Sequence, residues 1–387
     1  MKKKILIIGP IGDFGGRELE VGFIANSLEN NFEVTICSTG DLTVKSQVFD
    51  FVKKEQVCLV KRIAFQNNLI LKITSLLSFI KNKGKFPAYF FINNEVNRRY
   101  FNVDEKIKKE IKNIIAKHDL VIICAQLSSN YIEEIINCSY LNEKPVFFRT
   151  TGAIKKTTNI NLDYLKRVTR FIHHSEINAE KLNSQMLLPY TIIDQCAFNE
   201  SKFLKVGNVN DKVKTFVTIS RLVKEKNIDV IINAFNRIND YSFKLYIVGD
   251  GPEVNSLKQM AKRNPSIIFT GFTPNQELDR LLTLSDVLIV SHYDEETGPL
   301  TGIEAMASGR LIISAKTGAM MERLPSNPFW FDNDTDSLLN QINKVFALDE
   351  DEIIRLSKQN RDRYVKYYSR EKISKQYLEL VKNNLCE

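Results

Sequence analysis

Short runs of consecutive apolar residues alternate along this chain with longer stretches in which apolar residues recur every three or four positions. The first run is Ile5 to Ile8, and a second follows at Val34 to Cys37. Between them, a glycine-rich loop precedes a stretch from about Arg17 to Asn30 that has apolar residues on one helical face. Continuous apolar runs are typical of strands that are buried on both faces of a parallel sheet. The pattern therefore predicts an α/β protein.

The same alternation continues along the chain and is interrupted once. Further strand-like runs occur at 120–124, 170–174, 216–220, 244–248, 267–270, 287–290 and 311–314. An irregular polar stretch from Asp194 to Asn210 separates the earlier runs from the later ones. A chain of 387 residues is expected to form two domains of ordinary size. We predict one Rossmann-like domain at residues 1–198, a linker at 199–210 and a second Rossmann-like domain at 211–366.

The stretch from Ser285 to Ser314 carries the clearest functional signal. A predicted strand, a polar loop, a helix of small residues and a second strand follow one another here. The loop therefore lies at the carboxyl end of a strand, where ligands of open α/β sheets bind. Glu296 lies in the loop, and Glu304 lies one turn into the helix. Between them, Gly298-Pro299-Leu300-Thr301 brings backbone N–H groups to a helix N-terminus, whose partial positive charge suits a phosphate.

Two carboxylates beside such a helix end indicate a ligand that has hydroxyls as well as phosphates. Carboxylates accept hydrogen bonds from sugar hydroxyls, so a diphosphate with a sugar at each end fits this loop best. That description matches a nucleotide-sugar. The alternative is a helix cap with two solvated glutamates, since short motifs also occur by chance.

The Glu-x7-Glu spacing followed by Ala-Met-Ala-Ser-Gly resembles the donor-site signature of retaining GT-B glycosyltransferases, in particular glycosyltransferase family 4 (the group 1 glycosyltransferases). The resemblance implies that Glu296 binds hydroxyls of the donor sugar and that Glu304 binds the ribose hydroxyls. It also implies that the amides near Leu300 and Thr301 bind the diphosphate. The family usually has Gly-Phe-Gly after the first Glu, whereas this chain has Thr297-Gly298-Pro299. Pro299 has no N–H, so one phosphate donor is absent.

Other parts of the second domain match the family residue by residue. Arg221 and Lys226 follow the run at 216–220 and match the family's Arg and Lys, which implies that they neutralise a leaving diphosphate. Gly249 follows the next predicted strand, and Gly271-Phe272 matches the loop that usually carries the nucleobase. Positive side chains thus take the place of a divalent metal. The resemblance implies no metal and no cofactor, with the nucleotide-diphosphate-sugar as donor substrate.

The glycines after the first predicted strand also bear on the ligand. Their spacing does not fit G-x-G-x-x-G, and the second strand ends without an acid for a ribose, so NAD binding is disfavoured. Gly15-Gly16-Arg17-Glu18 resembles the GG-x-E of family 4 enzymes, in which this loop faces the donor phosphates across a cleft. The alternative is a tight strand-to-helix turn. The resemblance further implies an acceptor-binding first domain and a helix at 367–387 that returns to it.

Two features of the family are missing from the first domain. Family 4 enzymes often place a His after the strand at 120–124 and a His-Gly after the next strand. This chain has Ala125-Gln126 and Arg149-Thr150-Thr151-Gly152 at those positions. His173 and His174 are adjacent on a predicted strand and point to opposite faces, so we interpret both as structural and not as metal ligands. The acceptor-side residues are therefore not predicted.

Composition is that of a soluble globular protein, with 43% hydrophobic and 26% charged residues. The six cysteines are scattered and form no Cys-x-x-Cys pair, which predicts reduced thiols of a cytoplasmic protein and excludes a disulfide framework or a zinc site. The first apolar run has only four residues, too few for a signal peptide. No stretch approaches the ~20 apolar residues of a membrane span.

The net charge of +8 is concentrated near the start of the chain: residues 53–109 contain 13 Lys and Arg against 4 Asp and Glu. This patch suits an anionic lipid surface, a lipid diphosphate or nucleic acid, or it is a solvated basic face. Residues 67–85 are apolar along one helical face and end in Lys81, Lys83 and Lys85. They fit an interfacial helix on a membrane or a core helix with a basic end. No nucleic-acid partner is expected, because no aromatic residues are interleaved with the patch in a known module.

These features predict a retaining, metal-independent GT-B glycosyltransferase. It would move a hexose-type sugar, as from a UDP-sugar, to a glycan or lipid-linked acceptor in cell-surface polysaccharide biosynthesis. The predicted reaction is a front-face displacement with an oxocarbenium-like transition state, in which Arg221, Lys226 and Glu296 act. The predicted location is the cytoplasm, with peripheral contact to the inner face of the plasma membrane through the basic first domain. A non-catalytic sugar-nucleotide-binding protein and a GT-B sugar-nucleotide epimerase stay open as alternatives.

Overall fold

The computed structural model describes residues 2–152, 154, 162–292 and 297–385, and its strands form two separate parallel sheets. The strands of the first sheet are β1 (Lys4–Gly9), β2 (Glu33–Ser38), β3 (Val57–Leu59), β4 (Leu120–Ala125), β5 (Val146–Thr150), β6 (Arg170–His173) and β7 (Tyr190–Ile192). Those of the second are β8 (Thr215–Ile219), β9 (Lys244–Val248), β10 (Ile267–Gly271), β11 (Val287–Val290), β12 (Leu311–Ala315) and β13 (Trp330–Phe331). The prediction of an α/β fold with two parallel sheets is confirmed.

The helices connect the strands and cover the sheets. In the first half of the chain they are α1 (Gly16–Leu28), α2 (Val60–Asn67), α3 (Leu69–Lys81), α4 (Glu95–Tyr100), α5 (Val103–Ile115), α6 (Ile132–Leu141) and α7 (Glu176–Asn183). In the second half they are α8 (Glu200–Phe203), α9 (Ile228–Phe235), α10 (Val254–Ala261), α11 (Leu278–Thr283), α12 (Leu300–Ala307), α13 (Met320–Arg323), α14 (Thr335–Phe346), α15 (Glu350–Tyr367) and α16 (Arg370–Leu385).

The central strands are buried on both faces, as their continuous apolar sequences require. In β1, Ile5 and Ile7 pack into one hydrophobic core while Leu6 and Ile8 pack into the core on the other face. Alternate residues of a strand point to opposite faces, so one unbroken apolar run supplies two cores. The second sheet is built in the same way around β8 and β11.

Both sheets contain a point at which the strand order reverses. The orders are β3-β2-β1-β4-β5-β6-β7 and β10-β9-β8-β11-β12-β13, so the chain proceeds to one side from β1 and β8 and to the other side from β4 and β11. In open α/β sheets, ligands bind outside the carboxyl ends of the strands at this point. The loops after β1, β8 and β11 are therefore the places to look for a site.

The last helix returns to the first domain. The α15 residue Tyr364 belongs to a core of the second domain, whereas Ile373, Tyr377 and Val381 of α16 belong to the core that contains β1 and α1. At the crossing, the carboxylate of Glu200 accepts hydrogen bonds from the Tyr364 hydroxyl (2.8 Å) and from the backbone N–H of Arg370 (2.8 Å). The predicted return of the C-terminal helix is confirmed.

The stretch that follows β7 differs from its prediction. Its sequence was expected to be an irregular polar segment, but Cys196 and Phe198 are buried in the core of the first domain, and Ala197 and Phe203 in a core of the second. The chain therefore passes between the domains through buried apolar contacts. Short polar residues beside single large apolar ones carry no clear period, which is why the sequence did not show this burial.

The two domains are also joined by buried polar contacts. Arg323 of α13 donates to both carboxylate oxygens of Asp194, at 2.9 and 2.6 Å, and both side chains are buried. Glu322 accepts from the first backbone N–H groups of α7, Glu176 and Ile177, at 3.0 Å each. A carboxylate at this helix end satisfies unpaired N–H groups and opposes the helix dipole. These contacts fix one side of the space between the sheets.

The helix α3 does not lie in the core. Of its residues only Leu71 and Ser75 are buried, although most of its sequence is apolar. The core-helix alternative for residues 67–85 is therefore wrong for the outer face of α3. Among the described helices none is long and apolar enough to cross a membrane alone, and α2 with α3 meets that criterion only as a pair bent by 111°.

Candidate active site

Two adjoining cavities lie between the domains, at the carboxyl ends of the sheets. One has a volume of about 490 Å³ and includes Glu304; we call it the Glu304 cavity. The other has a volume of about 460 Å³ and includes Lys226; we call it the Lys226 cavity. Both are lined by the residues Phe14, Gly15, Gly16, Ile219, Ser220, Arg221, Leu300 and Thr301. The shared lining shows that the two cavities are compartments of one cleft.

Nearly all the predicted site residues line this cleft. Gly249, Phe272 and Glu304 line the Glu304 cavity, and Lys226, Gly298 and Pro299 line the Lys226 cavity, while Gly15, Gly16, Arg221, Leu300 and Thr301 line both. Gly271 lines neither cavity, but its carbonyl accepts the N–H of Gly249 at 2.8 Å. Gly271 thus supports the turn that lines the cavity. Glu296 lies outside the described residues.

Glu304 is the most unusual side chain of the cleft. It is 1% exposed, and one carboxylate oxygen accepts a 2.5 Å hydrogen bond from the amide of Asn275. The other oxygen, Oε2, has no hydrogen-bond partner within the part of the chain that the structure describes. Burial raises the pKa of Glu304 to about 7. Buried polar atoms are nearly always paired in native proteins, so an unpaired oxygen on a side chain that lines a cavity points to a ligand. The alternative of a solvated glutamate is wrong for this residue.

The helix α12 brings its N-terminus to the junction of the two cavities. Pro299 precedes the first helical residue with extended backbone (φ −61°, ψ 121°), and its carbonyl accepts from Arg323 at 2.7 Å. Proline cannot donate there, so the exposed donors of this end are those of the residues that follow it. A Cβ at Gly298 would lie 2.9 Å from the Arg323 guanidinium, which keeps this position small. The arrangement leaves a positive helix end facing the cleft.

Arg221 and Lys226 lie on the loop that joins β8 to α9. Lys226 ends a short 3-10 turn (Lys224–Lys226), and its carbonyl accepts from the Ser291 hydroxyl at 2.7 Å, so the loops after β8 and β11 are tied together. Arg221 lines both cavities, and Lys226 lines one. Two cations beside a helix N-terminus form a site for a doubly charged anion.

Glycine is required where the loop after β9 approaches β8. At Gly249, φ is +137°, and a Cβ would lie 1.8 Å from the carbonyl oxygen of Ser220. Only glycine adopts this backbone without strain and avoids that clash. The hydroxyl of Ser220 has no hydrogen-bond partner among the described residues, and Ser220 lines both cavities. The loops after β8 and β9 thus form one wall of the Glu304 cavity.

The glycine loop of the first domain forms the opposite wall. Phe14 contacts Phe272 of the second domain edge to face, with ring centroids 5.8 Å apart. Each ring is more than half exposed, at 56% and 57%. The Glu18 carboxylate accepts from the N–H of Gly12 at 2.8 Å and lies beside Gly15, where a Cβ would approach it to 2.8 Å. Gly15 is therefore confined by Glu18, whereas a Cβ at Gly16 would meet no atom within 4 Å, and both glycines line the cleft.

Phe14, His174 and His292 are among the cleft side chains that were not predicted as site residues. His292 lies two residues after the end of β11, is 5% exposed, and its Nδ1 has no hydrogen-bond partner among the residues described. Burial, aided by the charge of Lys226, lowers the pKa of His292 well below its ordinary value, so the ring is neutral. The position of His292 near the end of a predicted strand is the sequence signal that could have identified it as a site residue. For Phe14 the sequence offers no signal other than its position in the glycine loop.

His174 belongs to a buried cluster at the floor of the Lys226 cavity. Glu20 accepts two hydrogen bonds from Arg149, at 2.8 and 2.5 Å, and lies 3.6 Å from His174. Burial alone would raise the pKa of Glu20, but Arg149 and His174 lower it to about 2. His173 contacts the Thr150 hydroxyl at 2.9 Å and is structural, as predicted. His174 lines the cavity as well as packing in this cluster, and its interpretation as structural stays a prediction.

Residues 199–368 match the family described as glycosyl transferases group 1. The second domain of the chain therefore carries the sequence pattern of the group 1 glycosyl transferases. It is similar to N-acetyl-alpha-D-glucosaminyl L-malate synthase of Bacillus anthracis, with 26% identity over 68% of this chain and 75% of the relative. It is also similar to the O-antigen biosynthesis glycosyltransferase WbnH of Escherichia coli, with 24% identity over 72% of this chain and 81% of the relative.

Solved structures share the fold of this glycosyl transferase at low sequence identity. HepE of Anabaena, solved with UDP and glucose, superposes with a TM-score of 0.72 over 98% of this chain and 100% of that chain, at 16% identity. Sucrose-phosphate synthase of Thermosynechococcus elongatus gives the same TM-score over 100% of both chains, also at 16% identity. The prediction of a GT-B glycosyltransferase that uses a nucleotide-sugar is confirmed, and the alternatives of a binding protein or an epimerase are not favoured.

Proposed function

We propose that this glycosyl transferase is a retaining, metal-independent hexosyltransferase that uses a UDP-sugar. The observation that carries the proposal is the unpaired, buried Oε2 of Glu304, a residue that lines the Glu304 cavity together with Arg221 and the first residues of α12. A carboxylate oxygen that has no donor among the described residues fits a ribose hydroxyl, and Arg221 with Lys226 of the adjoining cavity fits a diphosphate. A nucleotide-diphosphate-sugar supplies both groups.

In this proposal the nucleoside occupies the Glu304 cavity. The base lies against the loops at Gly249 and Phe272, and the ribose hydroxyls donate to Glu304. UDP is preferred because HepE was solved with UDP and glucose, and the pneumococcal transferase GtfA with UDP and GlcNAc. The diphosphate lies at the N-terminus of α12 near Leu300 and Thr301.

The donor sugar extends into the Lys226 cavity. There Thr297 and the neutral ring of His292 offer hydrogen bonds to hydroxyls. Glu296, which the sequence places next to this loop, is proposed to hold further hydroxyls of the sugar. The acceptor enters the same cavity, whose floor carries His174.

The proposed reaction is a front-face displacement. As the bond between the anomeric carbon and the phosphate oxygen breaks, charge grows on the departing diphosphate, and Arg221, Lys226 and the helix end stabilise it. Removing one such preorganised donor typically costs about 10²–10³ in kcat. The acceptor hydroxyl attacks on the face that the phosphate leaves, which retains the anomeric configuration. The shared lining of the two cavities supports this route, because the leaving group and the acceptor occupy adjoining spaces.

We further propose that the acceptor is a glycan or a lipid-linked molecule of cell-surface polysaccharide assembly, and that the enzyme works in the cytoplasm. WbnH is named for O-antigen biosynthesis. A part of the chain is 35% identical to the alpha-monoglucosyldiacylglycerol synthase of Streptococcus pneumoniae, over 28% of this chain and 26% of the relative. Both names support an acceptor of this kind.

Calorimetric titration with UDP, GDP and ADP in metal-free buffer tests the donor assignment. We expect UDP to bind, and Glu304→Ala to weaken binding at least about tenfold, since a hydrogen bond to a charged group contributes about 1.5–3 kcal/mol. Glu350→Ala, at an exposed acid of the same domain, serves as the control and is expected to bind as the wild type does. Equal UDP affinity of the Glu304 and Glu350 variants would contradict the assignment of Glu304 to the ribose. Tighter binding of GDP or ADP would contradict UDP as the nucleotide of the donor.

A further inference from the structure

The helix α3 exposes an apolar face to solvent. Leu69, Ile73, Leu76, Leu77 and Ile80, which we call the α3 face, recur at the three- and four-residue spacing of one helical side. Their exposed fractions run from 39% at Leu76 to 71% at Leu69. Amphipathic helices normally turn such a side to the core. In α3 the core contact is confined to Leu71 and Ser75, so the apolar side faces outward.

Further exposed hydrophobic residues occur in the same segment of the chain. Ile70 is on α3, and Phe86, Val96 and Tyr100 follow it, each between 46% and 65% exposed. Single exposed hydrophobic residues are common, but contiguous apolar patches mark places where a protein meets a partner, a ligand or a membrane. The α3 face is therefore expected to be covered when the protein works.

The charged residues in the segment around the α3 face indicate what kind of partner binds there. The segment from α3 to α4 contains six basic residues against the single carboxylate of Glu95: Lys72, Lys81, Lys83, Lys85, Arg98 and Arg99. Apolar side chains with a basic border are the composition of helices that lie in the interface of an anionic membrane. Each basic residue near such a surface contributes about 1 kcal/mol, or about fivefold in partitioning. A second copy of this chain fits less well, because a two-fold pairing would set the two basic borders against each other.

We propose that the α3 face binds the surface of an anionic lipid bilayer. The apolar side chains enter the boundary between headgroups and acyl chains, and the lysines at 81, 83 and 85 meet the headgroup phosphates. A helix of 13 residues is too short to span a bilayer, which takes about 20, so α3 lies along the surface. This inference rests on the exposure and charge of the segment and does not depend on the donor assignment.

The position of the segment relates the membrane to the cleft. The helix α2, which precedes α3, begins directly after β3, at the carboxyl end of that edge strand. Lys61 of α2 forms a 2.7 Å ion pair with Asp41 in the loop after β2, and that loop lies beside Gly12 of the glycine loop. In this proposal α2 therefore connects the membrane-bound helix to a loop that lies beside the glycine loop of the cleft. If the proposed function holds, this placement suits an acceptor whose lipid part stays in the membrane.

The test is flotation of the full chain with vesicles of phosphatidylcholine alone and of phosphatidylcholine with phosphatidylglycerol. We expect binding to the anionic vesicles only, with a decrease at high salt. Reversing the charge of Lys81, Lys83 and Lys85 is expected to lower partitioning at least about 100-fold, as three fivefold factors require. Leu77→Asn with Ile80→Asn is expected to lower it about tenfold for each side chain that no longer enters the apolar layer.

Two control variants carry the same kinds of substitution at exposed positions outside the α3 face. Leu141→Asn with Leu187→Asn removes two side chains of similar or greater exposure, 78% and 90%, outside the α3 face. Reversing Lys262, Arg263 and Lys344 alters three exposed basic residues of the second domain. Both controls are expected to float with anionic vesicles as the wild type does.

UDP titration of every variant separates this inference from the proposed function. Wild-type protein that binds UDP but not anionic vesicles would overturn the membrane proposal and leave the donor assignment standing. Unchanged flotation of the α3 variants would overturn it too, as would a concentration-dependent dimer, seen by light scattering, that those variants abolish. Vesicle binding without UDP binding would support the membrane proposal while the donor assignment fails.

Discussion

Replacing Glu304 by Gln should make the ligand-free protein more stable at alkaline pH. Burial raises the pKa of Glu304 from an ordinary value of 4.5 to about 7, so the native state holds a proton that the unfolded chain releases. Stability from this group is fully present below the unfolded pKa and is lost as pH rises through the folded pKa. A pKa raised from 4.5 to about 7 corresponds to about 3 kcal/mol above pH 7. Between about pH 5 and about pH 8 the wild type should lose roughly 2–3 kcal/mol through Glu304 alone.

Urea unfolding of the wild type and of Glu304→Gln at about pH 5 and about pH 8 measures this quantity. Glutamine keeps an oxygen for Asn275 and cannot ionise, so the difference between the two proteins isolates the titration of Glu304. We expect the variant to gain roughly 2–3 kcal/mol on the wild type between the two pH values. The same pH dependence in both proteins would refute the assignment of a buried carboxylate with a raised pKa.

Nucleotide binding should show the opposite preference. A ribose hydroxyl donates best to the ionised carboxylate, so UDP affinity of the wild type should fall about tenfold between about pH 8 and about pH 6. The phosphates of UDP titrate in the same range, and Glu304→Gln reports their contribution by itself. The ionised form of Glu304 would thus lower the stability of the folded protein and yet be required for UDP binding. Active-site residues commonly show this conflict between stability and function.

Three further changes test other parts of the site. Lys226→Ala should lower kcat, measured as UDP release from a UDP-sugar, about 10²–10³-fold, with little change in the free energy of unfolding. An equally large decrease of kcat in Lys224→Ala would contradict a specific role of Lys226 in stabilising the diphosphate. Gly249→Ala should lower the midpoint of thermal unfolding and abolish UDP binding, because its Cβ would lie 1.8 Å from the carbonyl oxygen of Ser220. A variant that binds UDP with wild-type affinity would contradict so close an approach of the loops after β8 and β9. Asp194→Ala should destabilise the protein by about 3–5 kcal/mol, since it removes the carboxylate that pairs with the buried guanidinium of Arg323, and urea unfolding checks this against Asp240→Ala at an exposed acid.

The central strands of both sheets could be predicted from the sequence because each of them is an unbroken run of apolar residues. The runs at Lys244–Val248 and Val287–Val290 were predicted with the bounds that the structure has. The edge strands β3 and β13 were not predicted, since two or three residues carry no period. The short α8 was missed for the same reason.

The site was predictable where it depends on local sequence. The loop before α12 and the loop after β8 each combine a strand end with charged residues, so Arg221 and Glu304 could be predicted from the chain alone. His174 and Phe14 enter the cleft only because distant segments meet. The burial of Glu304 against Asn275 is likewise a tertiary contact, and no local pattern indicates it.

Periodicity also could not show which side of α3 faces the core. Its apolar spacing fits a core helix and a membrane-surface helix equally well. The tertiary structure decides, because only Leu71 and Ser75 find neighbours that bury them.

The central proposal is that this glycosyl transferase cleaves a UDP-sugar with retention and without a metal. The most direct measurement is NMR of the sugar released from UDP-glucose in chelator-containing buffer, with water in place of the acceptor. We expect α-glucose as the first product, formed at a rate that Lys226→Ala lowers about 10²–10³-fold. First formation of β-glucose, or binding of UDP without any release of sugar from a panel of UDP-sugars, would contradict the account.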